Sequence, residues 1–147
     1  MECHICPNQV CDRLNMRNML KRRHYNIGNN FNCILCSQHF EETVDHMIFT
    51  CPFSQSCWAR LHIDWPSFDC RLTLLQATKD TWLNPFFFET FLTVAWSIWK
   101  ERNNKHFRGI NPTFGSWRAR FQEDLGLLQH RIKAAHRASF LTYWATL

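Results

Sequence analysis

Apolar positions along this chain recur at helical steps, and most of its length reads as α-helix. From about Ser116, the residues Trp117, Phe121, Leu125, Leu128, Ile132 and Ala135 alternate steps of four and three. That spacing predicts one long amphipathic helix with a single apolar stripe. Asn84-Pro85 opens an earlier helix running through Trp96, Trp99 and Arg102 toward Phe107. Its apolar residues lie almost all around, which predicts a central place in the core. Gly109 to Gly115, with Pro112, reads as the linker between these two helices. Weaker periodicity suggests a helix over Arg71–Lys79, and Trp65-Pro66 ends the unit before it.

The first half of the chain is more broken. Asp12 can cap a helix from Arg13 to Arg23, in which Arg13, Arg17 and Lys21 form a basic stripe. Gly28-Asn29-Asn30 predicts a turn, and Phe31–Cys36 a short strand or knuckle. A short helix is expected over Glu41–Phe49. Cys51-Pro52 then opens another, with Pro52 at its first position and Phe53, Cys57, Trp58 and Leu61 on its apolar face. The pattern as a whole predicts a mainly α protein. An unassigned segment (1–11) precedes a small module (12–66), and a helical hairpin or bundle (67–147) ends in the long amphipathic helix.

Composition sharpens this picture. Of 147 residues, 46% are hydrophobic and 15% aromatic, enough for a buried core and too many for disorder. Four Gly and five Pro argue against a turn-rich β-sandwich or barrel. The longest apolar run, Phe86 to Trp99, is too short to span a bilayer, and the start lacks the pattern of a secretory signal. The expected setting is the nucleus or cytoplasm, where thiols stay reduced and clustered Cys and His become metal candidates rather than disulfides. The net charge of +5 is unevenly spread. Residues 1–32 and 100–147 are basic, and residues 33–99 are acidic.

The strongest chemical signal is Cys33-x2-Cys36-x9-His46-x4-Cys51. A two-residue gap lets two thiolates of a knuckle face one ion, and a His followed by a Cys can complete a tetrahedral zinc site. Four protein ligands leave no open position, so such a site is structural and does not activate water. His39 is the nearby rival for His46, and Asp45 is a candidate to orient its imidazole. Cys3, His4, Cys6 and Cys11 form a weaker candidate for a second site. Cys57 and Cys70 read as packing residues.

Arg13-Leu14-Asn15-Met16-Arg17, Cys33-Ile34-Leu35-Cys36 and the run Glu42 to Ser54 with Trp58 resemble the zinc-binding domain of plant non-LTR retrotransposon reverse transcriptases. Trp96 to Phe107 is similar to the tryptophan-rich segment that follows that domain. The resemblance implies a Zn2+ module with Cys33, Cys36, His46 and Cys51 as ligands, in a piece severed from its polymerase. No Tyr-x-Asp-Asp signature, two-metal carboxylate set or phosphate-loop glycine motif is present, so no catalysis is expected.

Two uses are then open. Arg13, Arg17, Lys21, Arg22 and Arg23, with Lys100, Arg102, Lys105 and Arg108 as a second patch, could bind nucleic acid through phosphates, without sequence selectivity. Alternatively Trp117, Phe121, Leu125, Leu128 and Ile132 could present a stripe to a protein partner or to a second copy of the chain. No membrane partner is expected.

Overall fold

The computed structural model describes residues 14–67 and 70–147. Arg13, the Asp12 cap and the Cys3-His4-Cys6-Cys11 group lie outside them. The described residues form helices α1 (Arg17–Arg22), α2 (Pro52–Ala59), α3 (Arg71–Thr81), α4 (Phe87–Arg108), α5 (Phe114–Leu128) and α6 (Ala134–Ala145), with a π-helical turn at His46–Thr50. No strand occurs among them. The knuckle is closed by a single antiparallel bridge between Asn32 and Glu41. None of these helices is long and apolar enough to cross a membrane.

Local chemistry explains the helix ends. Pro52 takes the first position of α2, where its missing N–H costs nothing. Gly109 ends α4 in the left-handed conformation at φ 67°, and its N–H satisfies a carbonyl of the last turn. Thr113 and Ser116 form a reciprocal capping box, which starts α5 at Phe114.

α4 and α5 pack as a hairpin, and α2 with the π-turn docks against them. Trp117 and Phe121 of α5 stack in parallel at 5.1 Å. Phe49, Trp58, Trp65 and Phe91 form an aromatic cluster with centroids 4.9–6.1 Å apart, which ties the first half of the chain to α4. The Trp58 indole N–H donates to the Ile48 carbonyl at 2.6 Å, so the ring nitrogen of this fully buried residue is paired.

Two expectations about the helices need correction. The stripe from Trp117 to Ala135 does not lie on one helix. α5 ends at Leu128, the chain turns through 129–133, and α6 returns to Trp82 and Phe86, ahead of α4. That return sets Phe140 edge-on against Phe86 at 5.2 Å. It also brings Trp144 so close to Gly126 that an added Cβ would stand 3.3 Å from its ring. No Gly or Pro marks the break; tertiary packing of the aromatic residues of α6 overrides the periodicity.

α4, in turn, is not buried all round. Its inner face carries Thr90, Thr93, Ser97, Glu101 and Arg102 beside Phe87, Val94 and Ile98. Its outer face leaves Leu92, Trp96 and Phe107 exposed. The inner polar groups are tolerated because most find partners. Thr93 and Ser97 donate to the Glu89 and Val94 carbonyls at 2.8 Å. Glu101 accepts from Ser116 and Arg120 of α5 at 2.7 Å. Arg102, 2% exposed, pairs at 2.6 Å with Glu42, which is fully buried.

Glu42 Oε1 also accepts the backbone N–H of Arg17 at the start of α1, at 3.1 Å. One carboxylate oxygen thus joins α1, the knuckle and α4. Removing one partner of a buried pair strands the other's charge, so Arg102→Met should cost about 3–5 kcal/mol in urea denaturation. Replacing Glu42 and Arg102 together by Met should cost less than the single change. A single-mutant cost below about 1 kcal/mol would show that the pair does not hold these elements together.

Candidate metal centre

Cys33 and Cys36 lie in the loop between α1 and the π-turn, on the knuckle that the Asn32–Glu41 bridge closes. Within it the Cys33 N–H donates to the Phe40 carbonyl at 2.7 Å and the Glu42 N–H to the Phe31 carbonyl at 2.8 Å. His46 opens the π-turn and Cys51 follows it as the N-cap of α2. Five residues along an ordinary α-helix turn by about 140°, which would point His46 and Cys51 apart. Here the Cys51 N–H donates to the His46 carbonyl at 2.7 Å, a five-residue bond that widens the turn and brings the two side chains to one side.

The donor atoms of Cys33, Cys36, His46 and Cys51 all lie within 4.8 Å of one another. Cys33 and Cys51 Sγ are 4.0 Å apart, and Cys36 Sγ stands 3.4 Å from His46 Nε2. Tetrahedral zinc places sulfurs about 3.8 Å apart, and sulfur and nitrogen about 3.6 Å apart. The cluster therefore fits a zinc ion. The Cys33–Cys51 separation is far too long for a disulfide, whose S–S bond is about 2.05 Å. Cys33, Cys36, Cys51 and Cys57 are all thiols rather than halves of a disulfide.

The electrostatics call for a cation. Donating a hydrogen bond to Cys51, together with burial, pushes the Cys33 thiol far up, and burial raises Cys36. Cys51 is drawn down to about 6 because it accepts that bond and the backbone N–H groups of Phe53 and Ser54 at the start of α2. One thiolate is thus prepared at the helix N-terminus, and the other two need a positive ion to become charged. Cys57, on the buried side of α2, is pushed up by burial and stands outside the cluster. Cys70 is half-buried and also outside it.

His39 is turned away, with its Nδ1 3.3 Å from the Asn32 side-chain amide. Asp45 does not orient the imidazole: its carboxylate receives Arg71 at 2.6 and 3.0 Å. That role falls to Thr50, whose Oγ1 lies 3.1 Å from His46 Nδ1 and leaves Nε2 facing the thiols. Thr50 escaped the sequence reading, although its place four residues after His46 in a helical turn is the signal that finds it.

Residues 2–58 match the family model described as zinc-binding in reverse transcriptase. This zf-RVT segment takes in all four cluster residues. The match covers a zinc-binding accessory segment and no polymerase domain. No curated protein and no solved structure matches the chain.

The basic residues around the zf-RVT segment have divergent fates. Arg17 donates to the Asn30 and Asn32 carbonyls at 3.2 and 3.3 Å, bracing the knuckle while keeping its charge. Lys21 is exposed, its ammonium 4.5 Å from the Phe31 ring centroid. Arg22 and Arg23 are exposed too. Arg102 is withdrawn from any nucleic-acid surface by its burial on Glu42. Lys100 is engaged by Asp124 at 2.6 Å, and Lys105 by Asn111. Arg108 is exposed. The stripe offered to a protein partner is also occupied: Trp117, Phe121, Leu125 and Ile132 are buried and Leu128 half-buried within the chain's own core.

Cys36→Ser should lower bound zinc by one equivalent per chain in native mass spectrometry, and a strong chelator should abolish the near-UV dichroism of the buried tryptophans. Unchanged zinc content in that variant would place the ion elsewhere. Thr50→Val should weaken zinc binding about 10–100-fold in competition with a chromogenic chelator, while Asp45→Asn stays near wild type. Equal affinities for the two variants would remove Thr50 from its orienting role.

Proposed function

We propose that this is a non-catalytic zinc-binding protein of retroelement origin that holds nucleic acid, in the nucleus or cytoplasm, without reading its sequence. The observation that carries this reading is the meeting of two basic stretches far apart in the chain. His106, in the last turn of α4, has its pKa lowered by burial and by the charges of Arg102 and Arg17. The two elements meet at Glu42, whose Oε1 takes both the Arg102 guanidinium of α4 and the amide that opens α1, at 2.6 and 3.1 Å. With Arg102 neutralised by Glu42, the charge left on this side comes from Arg17, Lys21 and Arg22 of α1 and from Lys105 and Arg108 of α4. Contacts of this kind go to phosphates, which give affinity and salt dependence without base selection.

Zinc supplies the scaffold for such a face. Apparent binding free energies of about 10–16 kcal/mol in structural zinc modules match or exceed the whole stability of a domain, about 5–15 kcal/mol. The knuckle that Arg17 braces would then be set by the ion.

A second reading, protein interaction, has one observation in its favour. A groove of about 810 Å³ runs between α4 and α5, floored by Leu92, Trp96, Leu127 and Leu128. Light scattering that reports a species larger than one chain, and its loss in Leu127→Ser, would favour this second reading.

For the nucleic-acid reading, the zinc-loaded chain should bind a DNA duplex at low salt and lose affinity steeply as salt rises. Lys21→Ala combined with Arg108→Ala should make the slope of log K against log salt shallower by about two. Absence of binding at low salt, or an unchanged slope in the double variant, would refute it.

A further inference from the structure

Resting on the nucleic-acid reading, we propose that Phe107 is a stacking platform for an unpaired base, which makes single-stranded nucleic acid the preferred ligand of this face. The outer side of α4 is apolar along its length, but its two ends differ in charge. The end that carries Leu92 and Trp96 borders the groove with α5, where the carboxylates of Glu89 and Asp124 are balanced by Arg131 in the same lining and by Lys100, which pairs with Asp124 at 2.6 Å. Nothing there offers a phosphodiester chain an excess of positive charge. At the other end, Phe107 is 75% exposed, among the most exposed large hydrophobic side chains of the described residues.

His106 packs edge-on against the Phe107 ring, with centroids 4.7 Å apart and planes at 77°. Lys105 and Arg108 share the same turn, one turn beyond the Arg102 that Glu42 ties to the start of α1. Lys105 and Arg108 by themselves would be accounted for as cations that complement the negative end of the helix dipole. That account leaves an aromatic ring held in water among cations without a reason. A ring flanked by positive charge is the arrangement that takes the face of a base while the neighbouring phosphates are neutralised. In a duplex those faces are already covered by the adjacent base pairs, so the ring adds nothing to duplex binding.

Fluorescence anisotropy on the zinc-loaded full chain separates the possibilities, with labelled oligo(dT), oligo(U) and a DNA duplex as probes. Phe107→Leu keeps the apolar bulk and removes the π-face; it should weaken strand binding about tenfold and leave duplex binding as it was. Phe107→Trp should preserve strand binding, and Trp96→Leu, at the charge-balanced end, should change neither. A tenfold loss on either strand supports the proposal, and the strand that shows it distinguishes DNA from RNA. Strand affinity untouched by Phe107→Leu, or an equal loss on strand and duplex, overturns stacking while leaving the basic face standing. A wild-type chain that binds none of the three probes overturns both. Because Phe107 is exposed, unchanged zinc content and melting temperature in Phe107→Leu confirm that the variant reports on binding.

Discussion

A fully buried carboxylate is costly unless donors meet it, and Glu42 gathers its donors from two separate parts of the chain. Oε1 receives the Arg102 guanidinium through two nitrogens and the amide at the start of α1. The residue sits four positions before His46, on the knuckle that carries two of the thiols. Metal centre, basic helix and long α4 are therefore fixed to one another by a single side chain. The same pairing decides which cations remain at the surface, because it removes Arg102 from solvent and leaves Arg17 with carbonyl partners only.

The aromatic cluster reinforces this junction from the other side. Phe49, on the π-turn, stands edge-on to Trp65 and stacks on Phe91 of α4. Loss of order at the metal would thus be felt in the helical half through both a polar and an apolar contact. Order at the Cys33-Cys36-His46-Cys51 cluster and order in the helical half are linked through these contacts.

Much of this was legible in the residues. Cys33, Cys36, His46 and Cys51 stand at spacings that zinc chemistry dictates, and Pro52 and Gly109 mark helix ends for backbone reasons that need no tertiary context. What failed did so for tertiary reasons. The stripe from Trp117 to Ala135 is periodic, yet Phe140 and Trp144 gain more by folding back onto Phe86 and Gly126 than by continuing the helix. Arg102 looked like a surface cation because nothing local reveals a carboxylate sixty residues earlier. The inverted sidedness of α4 was hidden for the same reason, since Glu101 and Arg102 are buried only because Ser116, Arg120 and Glu42 come to meet them.

The π-turn has a consequence for how such modules can drift in length. Between Cys36 and His46 the chain is exposed over residues 37–41, ahead of the buried Glu42, and an added or lost residue at the tip of that loop costs little closure entropy. The gap between His46 and Cys51 has no such slack. Its five-residue bond sets the angle between imidazole and thiolate, and one residue more or fewer would rotate one ligand off the ion. Insertions and deletions in related chains should therefore accumulate in the exposed tip of the first gap, ahead of Glu42, and be excluded from the second, so that the ruler of the motif runs from Glu42 to Cys51.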